Sequence, residues 1–280
     1  MEDGGVMTVG VTVRRSAEHL AAKGCDSPRL DAELLIAHAL GVRRLDLYLD
    51  FERPLGGAEL DAVRELVRRR GQREPVQHIL GKWGFRRLTL RVDKRALIPR
   101  PETEVLVERC LALLAGSVAP RVLDVGTGTG AVALAIADEH AGARVTGVDL
   151  SADALALAGE NCELTGIEIE LSEHDLFTGL PSGPWDLVAC NPPYVPAAEF
   201  PALPPEVRDW DPRIALVCEG AVDAVARGAV GVLRVGGGLV VEVGDGQTEA
   251  TAELLRELGY HEVHVTPDLG GRARVVEGLR

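Results

Sequence analysis

RVLDVGTGTG, residues 121–130, runs directly into AVALAIA, residues 131–137. A short apolar run breaks into three alternating glycines, Gly126, Gly128 and Gly130, and an apolar helical pattern follows at once. This reads as a buried strand turning sharply into a helix. Glycine lets the backbone bend tightly and approach a ligand closely, and the helix N-terminus supplies free N–H donors. A GxGxG string alone is a weak signal, but two acids sharpen it. Asp124 lies two residues before Gly126, and Asp149 ends the next apolar run, RVTGVD at 144–149. An acid at the end of the second strand is placed to accept hydrogen bonds from the ribose hydroxyls of a nucleoside cofactor. A dinucleotide fingerprint has the form GxGxxG and cradles a pyrophosphate. The acid-preceded GxGxG found here suits S-adenosylmethionine (AdoMet), which carries an ammonium group and no phosphate.

Outward from this turn the grammar repeats. IEIEL (167–171), DLVAC (186–190) and LVVEVG (239–244) are further apolar runs separated by helical stretches or loops. The alternation predicts βαβ units, an α/β fold with a mostly parallel, Rossmann-like sheet. HEVHVTP (261–267) and Arg274–Val276 around a Gly-Gly turn predict two adjacent strands, hence an antiparallel C-terminal edge. Upstream, Ser27 and Pro28 read as N-cap and first position of a helix carrying Leu30, Leu34 and Ala37 and stopped by Gly41. Leu60, Val63, Leu66 and Val67 form a second stripe, with Arg68, Arg69 and Arg70 in its last turn and Gly71 as its end. Leu88, Leu90 and Val92 alternate with polar residues. The expected organisation is a helical domain over 1–74, a linker or hairpin over 75–99, and the α/β domain over 100–280.

Composition bounds the function. The 280 residues carry 30 Lys and Arg against 43 Asp and Glu, a net charge of −13 that disfavours a nucleic-acid backbone as partner. With 46% hydrophobic and 26% charged residues the chain is an ordinary globular protein. Its five cysteines, widely spaced and without a CxxC pair, are expected to be small buried hydrophobes in a reducing cytoplasm. The seven histidines lack metal-ligand spacing, so no metal is expected. The acidic start, MEDGGVMTVG, and the lack of a long apolar run predict neither secretion nor membrane insertion. The basic run VRRRGQR (67–73) is expected to be a solvated helix end, with an acidic partner surface as the other reading.

Asn191, Pro192, Pro193 and Tyr194 follow DLVAC at the carboxyl end of the expected fourth parallel strand, where open α/β sheets place their chemistry. The prolines stiffen the loop and keep carbonyls out of ladder pairing, Asn supplies a side-chain acceptor, and Tyr a flat face. Together they can grip a planar amide or amine. An amide nitrogen is a poor nucleophile, so both its N–H bonds must be held while it is aimed at the methyl donor. The Asn191 side-chain oxygen and the Pro192 carbonyl are the expected acceptors.

DVGTGTG, GVDLS, DLF and NPPYV in this order resemble class I AdoMet-dependent methyltransferases acting on exocyclic or amide nitrogens. REPVQHILG (73–81), Phe85 and ALIPRPETE (96–104), with EVRDWDPRIAL and LGGRARVV, resemble more closely the HemK-type peptide chain release factor glutamine methyltransferases. The resemblance implies methylation of the glutamine amide in the Gly-Gly-Gln motif of class I release factors. Carried over, Gly126, Thr127, Gly128, Thr129, Gly130, Asp149, Leu176 and Asn191 would hold AdoMet. Asn191, Pro192, Pro193 and Tyr194 would bind the glutamine, with Asn191, Pro192 and Tyr194 in the catalytic role. Phe85 and Arg100–Glu104 would wall the pocket near Thr103, and the helical domain would dock the protein substrate. A cytoplasmic monomer without DNA or membrane binding is implied. One departure is visible: the family's glycine-rich stretch after the RIAL run reads Val217-Cys218-Glu219 here. The competing functions are an amino-group methyltransferase acting on a flipped nucleobase, which Asn-Pro-Pro-Tyr also suits, and a non-catalytic AdoMet-fold binding protein.

Overall fold

The computed structural model describes residues 6–280. Residues 1–5, where the expected helical domain and the acidic start begin, lie outside them. The chain divides into two compact units, one comprising the residues up to Gly81 with Pro204–Trp210, the other Lys82–Leu203 with Asp211–Arg280.

The first unit is helical: α1 (Val9–Ala22), α2 (Pro28–Leu40), α3 (Gly57–Gly71) and α4 (Val76–Leu80), joined by the short helix α8 (Pro205–Arg208). The Thr8 side chain caps α1 by accepting from Val11 N at 3.3 Å. Pro28 opens α2 and Gly41 closes it with φ +65°, as expected, although the Ser27 hydroxyl makes no capping bond. Gly71 does not stop α3 but is its last residue, and Gln72 is the cap. The glycine serves packing, since a Cβ there would lie 3.1 Å from His19 Nε2 of α1.

The basic run ends α3 as expected and stays solvated at Arg68, but it is no free basic surface, because acids within the same unit absorb its charge. Arg68 pairs with Glu65, and Arg69 with Glu74. Arg70, 6% exposed, donates through Nε to Asp31 Oδ2 at 2.7 Å and through Nη1 to Glu206 Oε1 at 2.9 Å. Arg73 forks onto both oxygens of the same Glu206, at 2.7 and 2.6 Å. A guanidinium taken out of water is tolerable only with such partners.

The second unit starts with the hairpin β1 (Lys82–Phe85) and β2 (Leu88–Arg91). The division expected across 75–99 thus falls between Gly81 and Lys82. The hairpin stays with the second unit because Phe85 and Leu90 are buried in its core and Arg91 N donates to Asn161 Oδ1 at 2.6 Å.

The main sheet contains β3 (Arg121–Val125), β4 (Arg144–Asp149), β5 (Glu170–Glu173), β6 (Trp185–Cys190), β7 (Leu233–Glu242), β8 (His261–Pro267) and β9 (Ala273–Leu279), in the order β5-β4-β3-β6-β7-β9-β8. The first five strands are parallel, and β9 and β8 form the antiparallel edge. β5 pairs from Glu170, later than IEIEL suggested, because Ile167 and Ile169 pack against the core as the chain approaches β4.

Alternate strand residues feed two apolar layers. Val122, Leu187, Val240 and Val275 join Leu106 of α5 (Pro101–Leu113) and Leu134 of α6 (Ala131–Glu139). Leu123, Val188, Val241 and Val276 join Val225 of α9 (Ala221–Val232) and Leu255 of α10 (Thr248–Glu257). Leu157 of α7 (Ala152–Thr165) clusters with Ala96 and Ala154.

Register then fixes the site. Val148, Val125, Cys190 and Val241 pair in one row across β4, β3, β6 and β7. The next residue of each lies at the carboxyl edge: Asp149 and Glu242 end β4 and β7, and Gly126 and Asn191 directly follow β3 and β6.

Candidate active site

An open cleft of about 1090 Å³ lies over this edge, within the second unit. Gly126, Thr127, Gly128, Thr129, Asp149, Leu176, Asn191 and Pro193 all line it, so most of the expected site residues converge. The glycine turn is built by backbone. Gly126, Gly128 and Gly130 have φ of +72°, +56° and +81°, a region costly for any residue with a Cβ. Gly126 N and Thr127 N both donate to Val148 O, at 2.8 and 2.9 Å, stitching the turn to β4.

Gly130 sits outside the cleft as the N-cap of α6. A Cβ on it would meet Leu134 at 3.2 Å and Ala158 at 3.3 Å, so its place in the motif comes from helix packing.

The two acids have different tasks. Asp149 accepts from Gly128 N through Oδ2 and from Ser151 N through Oδ1, each at 2.9 Å. Each carboxylate oxygen keeps a further lone pair toward the cleft. Asp124 is 1% exposed and not among the cleft residues. Its Oδ2 accepts from Thr127 Oγ1 at 2.6 Å and Ala133 N at 3.2 Å, bracing the turn against the start of α6. Burial pushes its carboxyl up to about 7.

The Asn-Pro-Pro-Tyr loop is held by side chains instead. Asn191 Nδ2 donates to Thr103 Oγ1 at 3.1 Å, and Thr103 Oγ1 donates to Glu242 Oε2 at 2.7 Å. Tyr194 OH lies 3.4 Å from the other oxygen of Glu242, and Tyr194 O accepts from Gln247 Nε2 at 3.0 Å. Burial drives the Tyr194 phenol up to about 12, so it is a donor across the working pH range. Pro192 is buried in the loop. Neither Pro192 nor Tyr194 is a cleft-lining residue, whereas Asn191 and Pro193 are.

Phe85, expected as a pocket wall, lies elsewhere. It is 1% exposed in β1, in the core with Leu90 and Leu106, because the hairpin turns its apolar face inward. Within Arg100–Glu104, Arg100 and Thr103 line the cleft, while Glu104 accepts from Arg86 N at 2.9 Å. The atypical loop is part of the wall: Cys218 and Ile214 line the cleft, and Val195 N donates to Leu216 O at 2.9 Å. Cys218 and Cys162 are half-buried, unlike the fully buried Cys25, Cys110 and Cys190. No group of acidic, histidine or cysteine side chains suited to a metal ion occurs among the described residues.

Glu242 and Gln247 escaped the sequence reading. The available signal was the acid in the otherwise apolar LVVEV run, which mirrors Asp124 in RVLDV.

Residues 12–81 match the model of the PrmC N-terminal domain, and residues 102–201 that of the methyltransferase small domain. The chain is 42% identical over 266 residues to the release factor glutamine methyltransferase of Geobacter sulfurreducens, covering 93% of this chain and 92% of that protein. It is also 42% identical, over 279 residues, to the release factor glutamine methyltransferase of Chlorobaculum tepidum, covering 94% of each. The chain belongs to the release factor glutamine methyltransferase family. Among solved structures, the 16S rRNA N2 G1207 methyltransferase of Thermus thermophilus, in complex with AdoMet and guanosine, matches with a TM-score of 0.53. It is 18% identical and covers 71% of this chain and 49% of its own, a likeness of fold.

The cleft of this family member has features that fit AdoMet. A Cβ on Gly126 would project into open space, so the turn leaves a bare cradle. Leu150, Phe177 and Ile214 line the cleft with 49%, 54% and 53% of their surface exposed, an apolar lining suited to a planar ring. Asp149 stands beside them with free acceptor capacity for vicinal hydroxyls.

Proposed function

We propose that the protein transfers a methyl group from AdoMet to the side-chain amide nitrogen of the glutamine in the Gly-Gly-Gln motif of class I peptide chain release factors. The observation that carries this is the commitment of Asn191 Nδ2 to Thr103, which leaves Oδ1 of a cleft-lining Asn as an acceptor. The backbone from Gly126 to Thr129, Asp149 and Leu176 hold the cofactor, whose sulfonium supplies an electrophilic methyl group.

Asn191 Oδ1 and the Pro192 carbonyl accept the two amide N–H bonds of the substrate and aim its nitrogen. Positive charge grows on that nitrogen during transfer, and two fixed acceptors beside it stabilise the transition state more than the ground state. Holding the weak nucleophile in line supplies several kcal/mol of the barrier. The extra proton leaves afterwards, so no general base is needed before transfer. The Asn-Pro-Pro-Tyr residues bind the glutamine, the helical unit docks the release factor, and the enzyme works as a cytoplasmic monomer.

The test is mass spectrometry of a purified class I release factor incubated with the protein and AdoMet. One added methyl on the Gly-Gly-Gln glutamine is the expected result. An unmodified peptide despite calorimetric AdoMet binding would redirect the reading to another amide or amino substrate.

A further inference from the structure

Glu242 is 1% exposed at the carboxyl end of β7, and the methyl transfer described above does not use it directly. We propose that Glu242 is a positioning residue: through the Thr103 hydroxyl it fixes which end of the Asn191 side-chain amide faces the substrate, and it holds the Tyr194 hydroxyl. This rests on the glutamine methyltransferase reading.

The number of protons available along the chain decides its direction. An ionised carboxylate only accepts, so the Thr103 hydroxyl must give its single proton to Glu242 Oε2, 2.7 Å away. Thr103 Oγ1 can then only accept from Asn191, 3.1 Å away, and the atom presented to it must be Nδ2. Oδ1 is thereby left toward the cleft as an acceptor, the sense that an amide N–H substrate requires. A Glu242 protonated on Oε2 lets the chain reverse. Its O–H donates to Thr103 Oγ1, the threonine proton turns to Asn191, and the amide that satisfies it presents Oδ1 inward and an N–H donor to the substrate. Two donors facing each other cannot hold the glutamine.

The charged surroundings are mixed. Glu102 of α5 opposes ionisation of Glu242, whereas Arg274 of β9 and the hydrogen bonds from Thr103 and Tyr194 favour it. Arg274 is also drawn to Asp268, 3.7 Å away, and Arg100 with Glu102 acts on Tyr194. Burial outweighs these and pushes Glu242 up to about 7. Ionisation, favoured as pH rises through that value, locks the productive sense of the amide.

The experiment compares wild type, Glu242→Gln, Thr103→Val and Thr103→Ser, using intact release factor as methyl acceptor and thermal melting to check folding. Glu242→Gln and Thr103→Val are expected to lower kcat by about tenfold to a hundredfold while AdoMet Kd changes by less than about twofold. Thr103→Ser keeps the hydroxyl and restores kcat to within about threefold. Wild-type kcat falls on the acid side of about 7, and Glu242→Gln loses that limb. In the ¹⁵N-labelled wild-type chain, the Asn191 side-chain amide resonances shift with the same midpoint, and in Glu242→Gln they do not. Folded variants that keep kcat and its pH profile overturn the proposal, as do wild-type Asn191 resonances indifferent to pH. A wild type that modifies no release factor breaks the functional reading alone, because the resonances still decide the relay.

Discussion

The glycine turn after β3 and the Asn-Pro-Pro-Tyr loop after β6 leave neighbouring strands at the same level of the sheet, yet they are held in opposite ways. The turn is a backbone object. Its positive φ angles and its paired N–H bonds to Val148 O set its course, and the Asp124 and Asp149 carboxylates brace it. The loop depends on side chains, because Asn191 reaches its partner Glu242 only through Thr103 from α5. The difference teaches where each half is vulnerable. The cofactor half, spread over the glycine turn and Asp149, is sensitive to steric strain, whereas the substrate half, with Asn191 as its one side-chain acceptor, is sensitive to a single atom or proton.

Asn191→Ala removes that amide and should produce the largest effect. A fall in kcat of a hundredfold or more, about 2.7 kcal/mol of transition-state stabilisation, is expected with AdoMet binding and melting temperature nearly unchanged. A comparable loss of AdoMet affinity would erase the distinction between the two halves.

Gly130→Ala should act on the other side of the comparison, through strain at φ +81° and the close approach to Leu134 and Ala158. Chemical denaturation should show a loss of about 1–3 kcal/mol. Asp149→Ala should weaken AdoMet binding by roughly tenfold, about 1.4 kcal/mol by calorimetry, with kcat at saturating AdoMet little altered.

A separate effect is expected on the pH dependence of stability. The Asp124 carboxyl lies near 3.8 in the unfolded chain and is raised by burial to about 7 in the fold. The folded state therefore binds the proton more tightly, and this contribution is full below 3.8 and is lost as pH rises through about 7. Asp124→Asn should flatten that slope in melting curves taken across the range. An unchanged slope would show that Asp124 does not set it.

Much of this was legible in the sequence because it depends on local covalent constraints. Three alternating glycines after an apolar run admit few conformations, and β3, the turn and α6 form where RVLDVGTGTG placed them. HEVHVTP forms β8 residue for residue, since alternation and a Gly-Gly turn are short-range signals. Phe85 was misplaced for the opposite reason. Whether an aromatic in a two-stranded hairpin faces a ligand or the core depends on the surface the hairpin lands on. Within VRRRGQR, Arg70 and Arg73 were misread in the same way, because Glu206, their shared partner, is more than a hundred residues away in the chain. Glu242 was visible only as an acid in an apolar strand. Its tie to Asn191 runs through a residue of α5, which no local pattern encodes.

The sequence by itself determined the α/β alternation, the helical first unit, the glycine turn with Asp149, and the position of Asn-Pro-Pro-Tyr at a strand end. Propensity, periodicity and backbone freedom act over a few residues. It took the assembled sheet to bring Asp149, Gly126, Asn191 and Glu242 to one edge, to make Asp124 a brace for the turn instead of a cleft residue, and to link Asn191 through Thr103 to a buried carboxyl. The reason is that strand register and burial are properties of the assembled sheet. Hydrogen-bond pairing across β4, β3, β6 and β7 aligns that edge, and exclusion of water raises the Asp124 and Glu242 carboxyls to about 7.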